Sequence, residues 1–167
     1  NILTWQDGVD RYMLQNYKFD KKKKKGFKPI PLNPFDSVPT IDRWLIMPNG
    51  NEFKSTKVNA HEYKRLDFTP VKDVKMKEAV KNWFWQSRLS ICSRIDFTYP
   101  IINFLNFVYE LRTNKSSDKS SNCNTFTTEE VFAYSMQAKN STGATQKIQA
   151  LRYFLQYVED CGLYNVE

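Results

Sequence analysis

The sequence lacks the patterns that mark membrane, secreted and zinc-binding proteins. No apolar run approaches the roughly 20 residues that a membrane-spanning helix needs, and the first residues lack the order of a secretory signal. The three cysteines among 167 residues, Cys92, Cys123 and Cys161, show no Cys-x-x-Cys spacing. We therefore expect reduced thiols in the cytoplasm, no disulfide framework, no zinc site and no contact with a membrane.

Patterns of catalysis and cofactor binding are missing as well. The sequence has no Gly-rich phosphate loop and no ordered set of Ser, His and Asp. Its one histidine, His61, is not accompanied by the several arginines that a phosphate-cleaving site needs. We expect no catalytic residue, no metal, no cofactor and no small-molecule ligand in this chain.

What the sequence does contain is enough apolar and aromatic material for a core. Hydrophobic residues make up 41% of the chain, which has twelve Phe, nine Tyr and four Trp, and this composition argues against wholesale disorder. The net charge of +7 favours an anionic partner. Residues 1–70 carry 13 basic against 8 acidic residues, and residues 71–167 carry 12 against 10. Bulk charge alone therefore does not make the second half a nucleic-acid binder.

Residues 1–70 are predicted to form an N-terminal arm. Apolar spacing indicates a helix over residues 2–17. Five lysines at 21–25 and four prolines up to residue 39 then predict a loop or linker. The lysine run fits a solvated loop, with phosphate contact as the alternative.

A small β-hairpin is predicted at the end of the arm. The Asn-Gly pair at residues 49–50 favours a tight turn between strands at 43–47 and 52–54. An isolated hairpin is only marginally stable, so we expect this one to pack through Trp44 and Ile46.

From residue 71 the pattern becomes helical, and four helices are predicted. The first runs from Lys75 to near Ser90, with Trp83 in the core and Trp85 as an exposed contact residue. A turn around Cys92 and Ser93 follows.

The second helix is predicted to end near Arg112. Pro100 fits the first turn of this helix, with Thr98 before it as the cap. A kink at Pro100 inside a longer helix is the alternative. A polar loop is expected to follow, over residues 113–124.

A capping box at Thr127 and Glu130 predicts the start of a third helix, which runs to about Ala138. We expect this helix to bury Val131 and Phe132, with Tyr134 or Met136.

The fourth helix is predicted over residues 144–161, after a break at 139–143. Gly162 is expected to end it in the left-handed conformation. The inward positions of this helix are expected to be Ile148, Leu151, Leu155 and Val158.

Several motifs in this helical half occur in the order and spacing of a known family. They are Thr127-Thr128-Glu129-Glu130-Val131, Ser141-Thr142, Ala150-Leu151-Arg152-Tyr153-Phe154-Leu155-Gln156-Tyr157-Val158 and Cys161-Gly162-Leu163, with Ser93-Arg94, Phe104-Leu105-Asn106-Phe107-Val108 and Arg65-Leu66-Asp67-Phe68-Thr69-Pro70 upstream. Over about 90 of the 167 residues, the chain resembles the core-binding (SAM-like) domain of phage-integrase and Xer-type tyrosine recombinases. Gly143, Gln146 and Pro100 depart from the family's usual residues.

The resemblance implies a mainly α fold, in which a four-helix SAM-like core-binding bundle over residues 71–167 follows the arm. It further implies a DNA-binding part of a site-specific recombinase, active in the bacterial cytoplasm on nucleoid DNA. The partners are then double-stranded DNA and other protomers of the same recombinase. The catalytic domain, which forms the phosphotyrosine intermediate, is expected after residue 167.

The fourth helix has its own chemistry for this role. Thr145, Gln149, Arg152 and Gln156 form a polar stripe at helical spacing, and an α-helix fits the major groove of DNA. The turn before it offers a cation, hydroxyls and free N–H groups to a phosphate. The predicted DNA-binding residues, some of them by resemblance alone, are Ser93, Arg94, Thr98, Lys139, Ser141, Thr142, Thr145, Gln146, Lys147, Gln149 and Arg152.

Other interpretations remain open from the sequence. The polar stripe is also what the solvated face of an ordinary amphipathic helix looks like, and Arg152 fits either a phosphate contact or an ion pair with an acidic neighbour. The main alternative function is a helical protein–protein interaction module in which Trp85 docks a partner. A single-strand or RNA binder that stacks bases on Trp and Tyr is the third.

Overall fold

The computed structural model describes residues 26–46, 64–115 and 124–167. These residues divide into two compact units. The sheet unit contains residues 26–46, 64–69 and 88–95, and the helical unit contains residues 70–87, 96–115 and 124–167.

Three short strands make up the sheet unit. They are β1 (Lys28–Pro29), β2 (Arg43–Ile46) and β3 (Lys64–Asp67), in the order β1-β2-β3. The central strand β2 pairs in parallel with β1 and antiparallel with β3.

Apolar side chains on β2 and β3 hold this sheet together. Trp44 and Leu66 face each other across the two strands and are fully buried, as is Phe68 just after β3. The rings of Trp44 and Phe68 meet edge to face with centroids 4.7 Å apart. Trp44 Nε1 donates a hydrogen bond of 2.7 Å to the carbonyl of Ile41, so the indole is satisfied inside the core.

The hairpin prediction is right for the first strand and its packing, since Trp44 and Ile46 are both fully buried. Among the described residues, β2 pairs with β1 and with β3. The predicted turn and second strand lie outside the described residues, as do the helix predicted over 2–17 and the lysine run. Part of the predicted proline-rich loop forms strand β1. Pro29 is tolerated there because β1 is an edge strand, where the missing N–H of proline does not interrupt the pairing with β2.

Four helices lie in the described part of the chain, which is mainly helical. They are α1 (Val74–Gln86), α2 (Ile91–Lys115), α3 (Thr128–Lys139) and α4 (Ala144–Asp160). The first residues of α2 group with the sheet unit, and the rest of the four helices belong to the helical unit. Two parallel two-residue strands, β4 (Thr125–Phe126) and β5 (Asn165–Val166), complete the helical unit.

Helix α1 is buried on more than one side. Asp73 caps its start by accepting a hydrogen bond of 2.9 Å from the amide of Met76. Trp83, Phe84 and Trp85 are all buried, with Trp85 only 5% exposed. The prediction of an exposed Trp85 is therefore wrong, because neighbouring structure covers both faces on which the two tryptophans lie.

Helix α2 is a continuous helix of 25 residues with Pro100 inside it. The predicted turn at Cys92 and Ser93 is wrong, and the alternative of a longer helix is right. The helix starts at Ser90, whose hydroxyl accepts a hydrogen bond of 3.2 Å from the amide of Ser93. Thr98 is consequently an interior residue and fully buried, not a cap.

Phe126, on β4, lies at the centre of the aromatic core of the helical unit. Its ring centroid is 5.3 Å from that of Phe104 on α2, 6.3 Å from Phe154 on α4 and 4.5 Å from Tyr164 before β5. All four side chains are at most 2% exposed. Helix α4 packs against both α1 and α3.

The start of α3 is held by a capping box and an ion pair. Thr127 Oγ1 accepts from the amide of Glu130 at 3.2 Å, and Glu130 Oε1 accepts from the amide of Thr127 at 2.9 Å, which confirms the predicted box. Arg112 at the end of α2 donates to both carboxylate oxygens of Glu130, at 2.7 and 3.0 Å, and to the carbonyl of Thr125.

Helix α3 buries Tyr134, as predicted, but not Phe132. Phe132 is 64% exposed and Met136, one turn later, is 46% exposed. The expected burial of Phe132 is wrong because the inner face of α3 runs through Glu130, Tyr134 and Ala138.

The end of α4 matches the prediction. Gly162 has φ +67°, the left-handed conformation that stops a helix. The amide of Leu163 then reaches back to the carbonyl of Val158 at 2.9 Å. Ala150 and Phe154 join Leu151 and Val158 on the buried side, whereas Ile148 and Leu155 are only half-buried.

Candidate nucleic-acid interface

Helix α4 presents one side to the core and a polar side to solvent. Phe154 and Val158 are fully buried on the first side. On the second side, Thr145, Gln149 and Arg152 are all exposed. We call these three residues the α4 stripe. The polar positions that the sequence singled out are thus accessible in the helical unit.

The N-terminal end of α4 carries the partial positive charge of the helix. Its first N–H groups have no carbonyl partner within the helix, and its N-cap, Gly143 with φ +74°, provides no side-chain hydrogen bond. Thr142 in the preceding turn and Lys139 at the end of α3 are exposed. The arrangement suits an oxyanion.

Two residues predicted for this turn are engaged with each other. Lys147 Nζ donates a hydrogen bond of 2.7 Å to Ser141 Oγ, and Ser141 Oγ donates to the carbonyl of Ala138 at 2.7 Å. Both side chains are half-buried. Lys147 is therefore drawn back onto the turn, and its ammonium keeps further N–H donors for an anion that approaches there.

Gln146 is exposed but has a partner in the helical unit. Its Nε2 donates a hydrogen bond of 3.4 Å to the backbone carbonyl of Asp96 on α2. The side chain therefore connects the first turn of α4 to α2, a contact that the sequence did not indicate.

The C-terminal end of α4 is less suited to an anionic partner. Glu159 and Asp160 are exposed there, and Gln156 Nε2 donates to Asp160 Oδ1 at 2.9 Å. The negative end of the helix dipole adds to these two charges. A phosphate-binding face on α4 therefore ends before Gln156.

Arg152 is exposed, and no carboxylate of the described residues forms an ion pair with it. Tyr153, the next residue, was not singled out from the sequence. Its ring is 40% exposed and stacks on Phe97 with centroids 5.7 Å apart and planes at 24°. The pair of Arg152 and Tyr153 is visible in the sequence, so this aromatic residue could have been included among the candidate contact residues.

The residues of α2 that were predicted to bind phosphate, Ser93, Arg94 and Thr98, differ in their surroundings. Thr98 is fully buried, so its hydroxyl is not accessible to a phosphate. Ser93 and Arg94 group with the sheet unit. Ser93 Oγ accepts from Ser90 Oγ at 2.9 Å, and burial lowers the pKa of the Arg94 guanidinium.

A groove of about 300 Å³, lined by both polar and apolar side chains, lies between α2, α3 and the start of α4. Asn103 and Glu110 of α2 line one side, Gln137 of α3 the other, and Ser141 and Lys147 lie at the α4 end. Among the described residues, no group of His, Cys, Asp and Glu could hold a metal ion.

Two further observations concern thiols and membranes. Cys92 and Cys161 are exposed and form no disulfide, and Cys123 lies outside the described residues. The helices of the described ranges are all too short or too polar to cross a bilayer. His61, the one histidine of the sequence, also lies outside the described residues.

Comparison with known proteins adds no relative. No family model, no curated protein and no solved structure matches the chain. The likeness to tyrosine recombinases therefore rests on the motifs of the sequence itself.

Proposed function

We propose that the helical unit is a duplex DNA-binding module that reads the major groove with α4. The observation that carries this proposal is the exposure of the α4 stripe beside a fully buried apolar side of the same helix. The stripe continues at its N-terminal end into the exposed Lys139 and Thr142, where the helix dipole is positive.

The dimensions of the stripe fit a short contact. Thr145 and Arg152 are seven residues apart, which is about 10 Å along a helix and corresponds to about three base pairs of B-DNA. Gln149 lies between them, and a glutamine can pair with adenine through both amide atoms. Lys139 and Arg152 at the two ends are suited to the phosphates that fix the register.

The finer proposal is that this module is the non-catalytic front part of a bacterial site-specific tyrosine recombinase. In that role it clamps duplex DNA in the cytoplasm together with other protomers. Strand breakage through a phosphotyrosine intermediate belongs to a separate catalytic domain. The motifs around Thr127, Ala150–Val158 and Gly162 support this assignment.

A titration of labelled duplex DNA over a salt series tests the proposal. A duplex binder loses affinity as salt rises, because contacts with phosphates release counterions. K139A and R152A should each weaken binding to every sequence and reduce the salt slope by about one unit if each makes one phosphate contact. Q149A should instead change the order of preferred sequences.

Lys115 provides the matched control. It is an exposed cation at the end of α2, about 28 Å along that helix from Asp96, beside which α4 begins. K115A should leave affinity and salt slope unchanged. Absent or salt-independent duplex binding would refute the proposal, and tighter binding to single strands would favour base stacking.

A protein–protein interaction module is the second candidate. Trp85 gives it no support, since that ring is buried, but the exposed Phe132 and Met136 lie one turn apart on α3. An apolar pair at this spacing is typical of a helix face that docks a partner. If this candidate is right, K139A and R152A leave binding to the protein partner unchanged, whereas the F132S/M136S double variant abolishes binding to that partner.

A further inference from the structure

We propose that Gln146 is a positioning residue, which holds the first turn of α4 against α2 at the carbonyl that Pro100 leaves without its helical donor. This inference rests on the proposed DNA-binding function and concerns the same face. It removes Gln146 from the residues that read bases.

The proposal starts from the missing N–H of Pro100. In a regular helix, the amide of residue 100 would donate to the carbonyl of Asp96, four residues earlier. Proline has no N–H, so this bond cannot form. The Asp96 carbonyl instead accepts from Gln146 Nε2 at 3.4 Å. A side chain of α4 thus takes the position of the lost backbone donor.

A second helix is attached at the same turn of α2. The hydroxyl of Tyr134 on α3 donates to the carbonyl of Pro100 at 3.3 Å. A phenol is protonated at neutral pH in any case, and burial raises the pKa of Tyr134 further, so its hydroxyl remains a donor. We call Asp96, Pro100, Tyr134 and Gln146 the proline junction.

The junction matters for the direction of α4. Gly143, the N-cap of α4, contributes no side-chain hydrogen bond, so the cap itself does little to fix the first turn. Gln146 lies in that turn, one residue after Thr145 and three before Gln149. Its bond to α2 therefore sets how the α4 stripe is presented to a groove.

Junction and base contact compete for the same amide. A glutamine that reads adenine uses both its amide nitrogen and its oxygen. The nitrogen of Gln146 is directed to Asp96. The two roles consequently predict different behaviour of Gln146 variants.

A double-mutant cycle in unfolding experiments tests the junction without DNA. Q146A should lower the equilibrium constant for folding about twofold, the low end of the range for one hydrogen bond, because the 3.4 Å bond is long and the side chain is exposed. In a P100A background the new amide can donate to Asp96, so Q146A should have almost no effect there. Q146M, which keeps the side-chain length without a charge but has no N–H donor, should behave like Q146A. An equal loss from Q146A in both backgrounds would overturn the proposal.

Duplex titrations then test the positioning role. Q146A should weaken binding to all sequences by the same factor, with the salt slope and the order of sequences unchanged. Q149A is the control, since it should change that order. A changed order with Q146A would show base reading and overturn the positioning role. Absence of duplex binding by the wild-type protein would refute the proposed function, and the cycle would still decide whether the junction exists.

Discussion

The ion pair between Arg112 and Glu130 should be the largest single electrostatic contribution to the stability of the helical unit. Arg112 donates to both carboxylate oxygens at 2.7 and 3.0 Å, and its side chain is 19% exposed against 9% for Glu130. Replacing Arg112 with Ala leaves that carboxylate, and the carbonyl of Thr125, without the donor that now satisfies them.

The expected cost follows from this enclosure. Removing one partner of a buried ion pair costs about 3–5 kcal/mol, because the other charge stays buried without compensation. Glu130 still accepts from the amide of Thr127 and keeps slight solvent access. We therefore expect R112A to lower the free energy of unfolding by about 3 kcal/mol at pH 7, the lower end of that range.

The pH dependence has a definite sign. Burial alone would raise the pKa of Glu130, but the hydrogen bonds from Arg112 and Thr127 and the charge of Arg112 outweigh it and hold that pKa below the ordinary 4.5. A carboxyl with a lower pKa in the folded state stabilises the protein fully above its unfolded-state pKa. This contribution is lost as the pH falls through the folded-state pKa, so it is complete above about pH 5. E130Q should therefore lose stability at pH 7 and lose less relative to wild type at pH 3.

Urea unfolding followed by tryptophan fluorescence measures these changes. The matched control is the pair of Lys72 and Glu110, whose side chains are 48% and 60% exposed. An exposed pair contributes about 0–1 kcal/mol, so K72A should cost no more than that. Equal losses in R112A and K72A, or an R112A loss that does not shrink in acid, would refute the reasoning.

Two further predictions use burial and backbone conformation. W85A should lower the free energy of unfolding by about 3–5 kcal/mol, the usual cost of truncating a buried aromatic side chain. F132A should change it by no more than about 0.5 kcal/mol, because that side chain is exposed. Thermal unfolding of both variants checks this, and a larger loss in F132A than in W85A would contradict it. G162A should cost about 1–2 kcal/mol from the left-handed backbone alone, because a Cβ there meets no atom within 4 Å, and G162N should cost less in the same assay.

Local signals made much of the helical unit predictable. The capping-box motif at Thr127 and Glu130 predicts its own two hydrogen bonds. Gly162 has φ +67°, a conformation that glycine adopts without steric cost. The apolar spacing of α4 likewise placed Leu151 and Val158 inside. In each case the residues that decide the structure are within a few positions of one another.

Non-local packing decided what the sequence did not reveal. Asn49 and Gly50 favour a local hairpin, and within the described residues β2 pairs with β1 and with β3, the latter some twenty residues farther along the chain. Pro100 could open a helix or lie inside one, and the Ser90 cap, together with burial of Thr98, decides for the longer helix. Trp85 is buried because more than one face of α1 is covered. The spacing of apolar residues along a helix predicts a single buried face and does not reveal this.

The candidate site was predictable only in part. Exposure of Thr145, Gln149 and Arg152 follows from the amphipathic period of α4. The engagement of Gln146 with α2 depends on residues 50 positions apart, and no spacing rule connects them.

Tyr164 contacts Phe126 with ring centroids 4.5 Å apart and planes tilted by 30°, so the residues after α4 cover the aromatic centre. Tyr164 is 2% exposed. The ammonium of Lys75 on α1 lies over the Tyr164 ring, with Nζ 4.4 Å from the ring centroid. A shortened variant that stops at Asp160 would open Phe126 to water although every helix is retained. Expression work on this protein should therefore keep residues 161–167, which complete the hydrophobic interior despite their short, mostly irregular backbone.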